Sequence, residues 1–309
     1  MHISYRKYYF MLCAVVLIWG IDPIVNRYFY KYYSASALCA LSTFVSAVAF
    51  FVLARTSFPK VNLAGSRAAL PVSLCNSLAC VLQRIGLQYT TPARYAFYEH
   101  LSCVPVPLVL FICFRKKPSP LQILSAALCL LGCFVLAGAD AIHGSFGIGD
   151  MLCIIAGILL GAGIVFAFRC TGKMDLRAFT AMHMGVYFLT SLFLTLALHF
   201  FPTRGTPIEK IRIPLSPLPL FGAALFGLLS VGLCWMLRNE AVRRLSPSFV
   251  SVFSPLSAVI TAAISALLGL EKTTPAFLLA CLLILFAPIL AGLGEEGRKK
   301  DSDVSPKKG

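Results

Sequence analysis

The sequence predicts an all-α polytopic membrane protein in which ten transmembrane helices form two inverted five-helix repeats. Apolar residues make up 59% of the 309-residue chain and charged residues only 13%, which is about half the charged share of soluble domains. Stretches of roughly 20 apolar residues, the length that crosses a bilayer, follow one another with short connections. A sequence pattern from the first half also returns, in the same order, in the second half.

The first half contains five apolar stretches, at residues 9–26, 35–54, 68–87, 93–114 and 121–139. The first one follows Arg6 and Lys7, as the core of a signal peptide would. No small-residue cleavage site comes after it, so we expect this stretch to be retained as a helix. The fourth contains Pro105 and Pro107, which we expect to bend it.

The second half contains the other five stretches, at residues 149–168, 179–200, 218–237, 249–268 and 275–293. Gly157 and Gly161 in the sixth stretch form a small-x-x-x-small pattern that suits close helix contact, and Pro255 bends the ninth. We assign residues 1–139 to the first repeat and residues 149–294 to the second. Residues 295–309 are charged and rich in serine and lysine, which predicts a disordered cytoplasmic tail.

The repeat is clearest at the start of the fourth and ninth stretches. Gly86-Leu-Gln-Tyr-Thr-Thr-Pro92-Ala precedes one, and Ala241-Val-Arg-Arg-Leu-Ser-Pro247-Ser precedes the other. The register that aligns the two prolines also aligns Leu101-Ser102 with Leu256-Ser257. Each unit has an odd number of spans, so the second copy enters the membrane in the opposite orientation. Such inverted repeats are typical of membrane transporters, whose substrate site lies between the halves.

The chain has a net charge of +15, and the distribution of its basic residues indicates a membrane topology rather than a polyanion-binding surface. Most of the 27 lysines and arginines fall on the side of the N-terminus, and this assignment includes Arg238. The positive-inside rule therefore places both termini in the cytoplasm. We expect a multi-pass protein of the cell (inner) membrane, with the lipid bilayer and a small-molecule substrate as partners, no nucleic acid, and a homodimer as the candidate assembly.

Several motifs resemble the EamA-like branch of the drug/metabolite transporter superfamily. Trp19-Gly20-x-Asp22 followed by Arg27 is similar to the family's pattern in the first helix, where Asn and Lys usually stand at the positions of Asp22 and Arg27. The turn before Pro92 and the acidic Gly269-Leu-Glu271-Lys junction are also similar. The equivalent junction of the first half lacks the glutamate. The resemblance implies a ten-helix carrier of small organic molecules.

Glu99 is the charged residue that lies deepest inside a predicted span. Tyr95 lies four residues earlier, on the same helix face, and Tyr98 adjoins Glu99 in the sequence. A carboxylate beside phenol rings can hold an amine or sulfonium by charge and cation–π contact, or it can carry a coupling proton. The alternative is a structural ion pair with Arg94 or Arg84. We take Glu99, Tyr95 and Tyr98 as candidate substrate-binding residues.

Further candidates lie near the outer ends of the first and third spans. Asp22 precedes a proline that removes a backbone donor, and Asn26 can share its site. Asp22 could instead pair with Arg27 at the outer interface. Arg84 could bind a substrate carboxylate or extend its charged group to the interface, and Trp19 could stack on a substrate ring or serve only packing.

These residues favour a secondary transporter of a small polar or charged metabolite, working by alternating access. The sequence has no nucleotide-binding loop, so a gradient or an exchange reaction must supply the energy. Within the resembled family, an amino-acid-like or S-adenosylmethionine-like cargo is the candidate, taken up in exchange for a related product. Export of amino acids or drugs is one alternative. An integral-membrane lipid-modifying enzyme is another, but its acidic, metal-binding and nucleophile motifs are missing from the sequence. We expect no catalytic residues, metal or cofactor.

Overall fold

The computed structural model describes residues 6–57, 63–90, 92–115, 117–137, 146–170, 174–200, 210–214, 216–269 and 274–304, which are mostly helical and include no β-strand. The joint predicted around residues 139–148 lies largely outside these residues, and Glu271 of the acidic junction lies wholly outside them. The same holds for the last five residues of the tail.

The first repeat consists of helices α1 (Arg6–Phe29), α2 (Ala35–Ala54), α3 (Leu63–Gly86), α4 (Pro92–His100), α5 (Pro105–Phe114) and α6 (Pro120–Ala137). Helices α4 and α5 together form the predicted fourth span. A 3₁₀ turn at Leu101–Cys103 separates them, and Val104 links this turn to Pro105. Proline lacks the N–H that would continue the helical hydrogen bonds, and its ring clashes with the preceding turn, which explains the break.

The second repeat consists of helices α7 (Ile148–Cys170), α8 (Leu176–Phe200), α9 (Pro217–Gly227), α10 (Cys234–Arg244), α11 (Pro247–Phe253), α12 (Leu256–Leu267) and α13 (Pro275–Val304). A π-helical turn at Leu228–Leu233 joins α9 and α10 into one span. Helices α11 and α12 form the ninth span, which breaks at Ser254 and Pro255.

The ten predicted spans are confirmed as helical segments, with two differences. Within the described residues, eight segments are long and apolar enough to cross a bilayer, whereas the fourth and fifth spans contain shorter apolar helices, Phe97–Cys113 and Pro120–Leu136. Helix α13 continues to Val304, into the tail that the sequence suggests is disordered. Lysine, arginine and glutamate are good helix formers, so the charged composition at 295–300 is compatible with an extended helix.

The helices pack in a pattern that is unchanged when the two halves are exchanged. Helix α3 packs on α7 of the other half, and the equivalent α10 packs on α1. Likewise, α5 packs on α7 while the equivalent α12 packs on α1. The equivalent helices α2 and α8 contact each other, as do α6 and α13. This exchange symmetry identifies a pseudo-two-fold axis between the halves.

Equivalent helices on this axis run antiparallel. In α2 and α8, Cys39 Sγ lies 3.5 Å from Ser191 Oγ, while Phe51, further along α2, packs beside Gly185, which comes earlier in α8. In α6 and α13, Gly132 packs against Ile284 and Leu121 against Gly294. An axis that relates antiparallel helices is perpendicular to them and lies in the membrane plane. The inverted orientation of the second repeat is therefore confirmed.

Glycines allow the closest contacts between the halves. A Cβ atom on Gly157 of α7 would lie 2.6 Å from the carbonyl oxygen of Tyr98. A Cβ atom on Gly161 of α7 would overlap Pro105 of α5, and at the equivalent contact of the other half a Cβ atom on Gly20 of α1 would lie 2.6 Å from Ile260 of α12. The fourth and ninth spans thus lie directly against the first helix of the opposite repeat, which brings their residues towards the centre of the bundle.

Candidate functional site

A cavity of about 500 Å³ lies between the two repeats. This volume is within the usual range for small-molecule sites. Most of its lining comes from α1, α3 and α4 of the first repeat and from the π-helical turn, α10 and α12 of the second, and α6, α7 and α8 add a few residues. Among the predicted site residues, the cavity is lined by Trp19, Asp22, Asn26, Arg84, Tyr95 and Glu99.

Among the residues that the structure describes, the cavity extends towards one end of the bundle. It extends to the exposed residues Arg27 and Gln88, where α1 and α3 end. At the opposite end, buried side chains including Tyr8 and Leu12 of α1, Phe179 of α8 and Phe249 of α11 form an apolar cluster. Tyr9 and Phe249 also meet edge to face, with ring centroids 5.4 Å apart. In the described part of the chain, the cavity therefore reaches exposed residues at one end, and apolar side chains pack together at the other.

Asp22 and Arg84 form an ion pair in the cavity wall. Asp22 Oδ2 lies 3.9 Å from Arg84 Nη2 and also accepts a hydrogen bond from the side-chain amide of Asn26. The side chains of Arg84 and Asp22 are 13% and 20% exposed. The pair joins α1 to α3 within the first repeat. Asp22 thus pairs with Arg84 rather than with Arg27, the partner considered from the sequence.

Glu99 lies at the end of α4, directly before the break in the fourth span. It shares the cavity wall with Tyr95 and Gln83 and lies within electrostatic range of Asp22, Arg84 and Arg238. Among the described side chains it has no ion-pair partner, and the side chain of Arg94 is outside that set. A carboxylate at a helix break, facing a cavity, can receive a cationic group or a proton.

Tyr98 has a different position from the other candidates. It is 8% exposed and is absent from the residues that line the cavity. Its ring packs on Phe97, with centroids 5.4 Å apart, and its carbonyl faces Gly157 of α7. Residues Tyr95 and Glu99 are four apart and share a helix face, whereas Tyr98 falls on a neighbouring face.

Trp19 connects the two repeats at the base of the cavity. Its indole Nε1 donates a hydrogen bond of 2.9 Å to the carbonyl of Ser230. Its ring meets Trp235 edge to face, with centroids 5.9 Å apart. Ser230 lies in the π-helical turn, a feature that often occurs at functional sites because it redirects carbonyls and side chains.

Arg238 is a cavity residue that the sequence analysis assigned to the cytoplasmic side, and that assignment is wrong. It lines the cavity and is only 3% exposed, because the eighth span continues through α10 to Arg244. Its guanidinium carbon lies 4.8 Å from the ring centre of Trp235 and 5.8 Å from that of Trp19. The repeat could have revealed it, since the register that aligns Pro92 with Pro247 also aligns Gln83 with Arg238.

The sequence matches the profile of the EamA-like transporter family over residues 6–138 and again over residues 147–293. The chain belongs to the EamA-like transporter family. The two matched regions correspond to the two repeats of the fold, and the resemblance drawn from the sequence motifs is confirmed.

Other comparisons agree with this membership. The EamA-like chain is 24% identical over 155 residues to an uncharacterized transporter of Archaeoglobus fulgidus. That match covers 50% of this chain and 46% of the archaeal protein, so the chain aligns with less than half of its relative's length. A solved crystal structure superposes with a TM-score of 0.72 over 93% of this chain and 97% of that chain, at 16% identity. This likeness concerns the fold alone.

Proposed function

We propose that this membrane transporter is a secondary carrier that moves a small charged metabolite through the cavity between its repeats. The cavity, which has charged groups of both signs at the repeat interface, is the observation that carries this proposal. Asp22, Arg84, Glu99 and Arg238 are costly to place within a membrane unless they serve a ligand or each other. Aromatic rings beside them suit an organic ligand rather than a bare ion.

Alternating access is the mechanism we propose, and the pseudo-two-fold symmetry supports it. In an inverted repeat, the conformation of one half can be adopted by the other, which opens the site to the opposite side. The fourth and ninth spans, both broken near the repeat interface, are the candidate hinges. With both termini in the cytoplasm of an inner-membrane protein, the present state would be open to the outside.

We propose an amino-acid-like or S-adenosylmethionine-like cargo, exchanged for a related product. Glu99 and Tyr95 together suit an ammonium or sulfonium group, because carboxylate attraction and cation–π contact act on the same cation. Exchange needs no nucleotide site, in keeping with the sequence. Export of amino acids or drugs is the other candidate, because the same cavity would serve either direction.

The first test is binding. Purified protein is heated in the presence of amino acids, nucleosides, S-adenosylmethionine and cationic drugs, since a ligand that binds only the folded state raises Tm. The second test is transport in proteoliposomes, in which internal unlabelled ligand should accelerate uptake of external labelled ligand if exchange occurs. Equal acceleration in both orientations would support exchange, and acceleration by a proton gradient alone would contradict it.

Glu99→Gln is expected to abolish or strongly reduce uptake with little loss of folded membrane protein. The matched control is Glu240→Gln, because Glu240 pairs with Arg243 on α10 and does not line the cavity. Unchanged uptake kinetics for Glu99→Gln would remove Glu99 from the site. If no compound of the panel binds or is transported, the proposed cargo is wrong.

A further inference from the structure

We infer that Arg238 binds a carboxylate of the transported substrate, so that the cavity recognises a ligand with both a negative and a positive group. This inference rests on the proposed carrier function and names a specificity-determining residue for it. It is carried by the burial of Arg238, by its two tryptophan neighbours and by its unused hydrogen-bond donors.

Arg238 is a buried cation without a close counter-ion in the part of the chain that the structure describes. Its Nε and Nη1 atoms are buried and have no hydrogen-bond partner among those residues. Among the described ion pairs, Arg84 is matched with Asp22 and Arg243 with Glu240, and Arg238 takes part in neither. A buried guanidinium with unmet donors is unfavourable unless a ligand completes its hydrogen bonds.

Trp19 and Trp235 hold the guanidinium without using its donors. Cation–π contact acts on the face of the aromatic rings and leaves the N–H groups at the guanidinium edge available. Trp19 is itself fixed by its hydrogen bond to the Ser230 carbonyl, and Trp235 packs on His183 with ring centroids 4.7 Å apart. The guanidinium is thus positioned in advance, and its planar fork matches a carboxylate.

The repeat symmetry distinguishes Arg238 from Arg84. The pair Gln83-Arg84 of α3 aligns with Arg238-Asn239 of α10, so each repeat contributes one arginine and one amide at equivalent positions. Among the residues that the structure describes, an aspartate pairs with the arginine in the first repeat alone. Arg84 is therefore neutralised within the protein, and Arg238 is the arginine left to bind an anion.

Glu99 supplies the opposite pole of the same site. It lies within electrostatic range of Arg238, and both residues line the cavity. An ammonium or sulfonium near Glu99 and a carboxylate at Arg238 would leave no charge uncompensated. A ligand lacking the carboxylate would leave the Arg238 donors unmet, which predicts discrimination between an amino acid and its decarboxylated or amidated form.

Intrinsic fluorescence offers a direct test, because the two tryptophans that flank Arg238 are the only ones in the chain. Three quenchers of tryptophan fluorescence differ in charge: iodide is an anion, caesium is a cation and acrylamide is neutral. We expect Arg238→Gln to reduce iodide quenching several-fold and to leave acrylamide quenching unchanged. The control is Arg244→Gln, at an exposed position at the end of the same helix, which should alter neither.

The second arm measures ligand selectivity by the same fluorescence and by Tm. S-adenosylmethionine is compared with its decarboxylated form, and L-methionine with its amide. The wild type should prefer the carboxylate, and Arg238→Gln should lose about tenfold or more of that preference, as expected for a hydrogen bond to a charged group. Arg238→Lys keeps the charge but not the fork, so it should retain iodide quenching while losing part of the preference.

Two results would overturn the inference. One is equal iodide quenching in wild type and in Arg238→Gln while acrylamide still reaches the tryptophans. The other is an unchanged carboxylate preference in Arg238→Gln that elutes as a folded, monodisperse protein. If Arg238→Gln does not fold, an unchanged preference in Arg238→Lys has the same meaning. The iodide measurement needs no transported compound. If the carrier proposal fails but Arg238 still binds anions, iodide quenching will still fall in Arg238→Gln although no compound is transported.

Discussion

The ion pair between Asp22 and Arg84 allows a quantitative test of the cavity. Removing one partner of a fully buried pair costs about 3–5 kcal/mol, mainly because the other charge stays buried and unmatched. Here the side chains are 13% and 20% exposed, the atoms are 3.9 Å apart and the cavity reaches solvent. We therefore expect Asp22→Asn and Arg84→Gln each to cost about 2 kcal/mol, below that fully buried limit.

A double-mutant cycle separates this interaction from other effects of the two substitutions. If the pair is real, Asp22→Asn combined with Arg84→Gln should cost no more than either single change, which leaves a coupling energy of about 2 kcal/mol. The assay is thermal unfolding of purified protein in detergent, with uptake normalised to folded protein. Additive losses would refute the ion pair. We also expect Asp22→Asn to reduce uptake less than Glu99→Gln does, and a complete loss of uptake would reverse that ranking.

Two further predictions concern packing and topology. Gly157→Ala should destabilise the bundle by about 1–3 kcal/mol, because its Cβ atom would overlap the Tyr98 carbonyl at 2.6 Å. Gly292→Ala, whose Cβ atom would make an ordinary 3.7 Å contact, should be neutral or stabilising, and equal Tm values for the two variants would contradict the close contact. Reporter tags on the two termini should both be reached from the cytoplasmic side only, and tags reached from opposite sides would be incompatible with ten spans.

Much of the fold could be predicted from the sequence. Each span can be recognised from its own residues, because a helix of roughly 20 apolar residues can cross the bilayer whichever helices pack beside it. Pro105 and Pro255 also indicated bends where the fourth and ninth spans break. The π-helical turn at Leu228–Leu233 had no such signal, because no proline marks it.

Less of the candidate site could be predicted. Glu99 and Asp22 stood out because an acid inside an apolar stretch is unusual in itself. Arg238 did not, because an arginine near the end of a span is usually interfacial and the eighth span continued further than its hydropathy suggested. Tyr98 was grouped with Glu99 by adjacency, yet helical geometry turns it towards Phe97.

The ten spans, their division into two inverted units and the family to which the chain belongs all follow from the amino-acid sequence. These properties depend on composition and on residue order. An apolar stretch of sufficient length forms a span, and a repeat with an odd number of spans must insert in the opposite orientation. Only the packing of the helices reveals which charges meet: Arg84 is matched by Asp22, whereas Arg238 lies beside two tryptophans and has no ion-pair partner among the described residues. Such roles depend on atoms within a few ångströms from helices distant in sequence, and only the packing of those helices fixes which groups become neighbours.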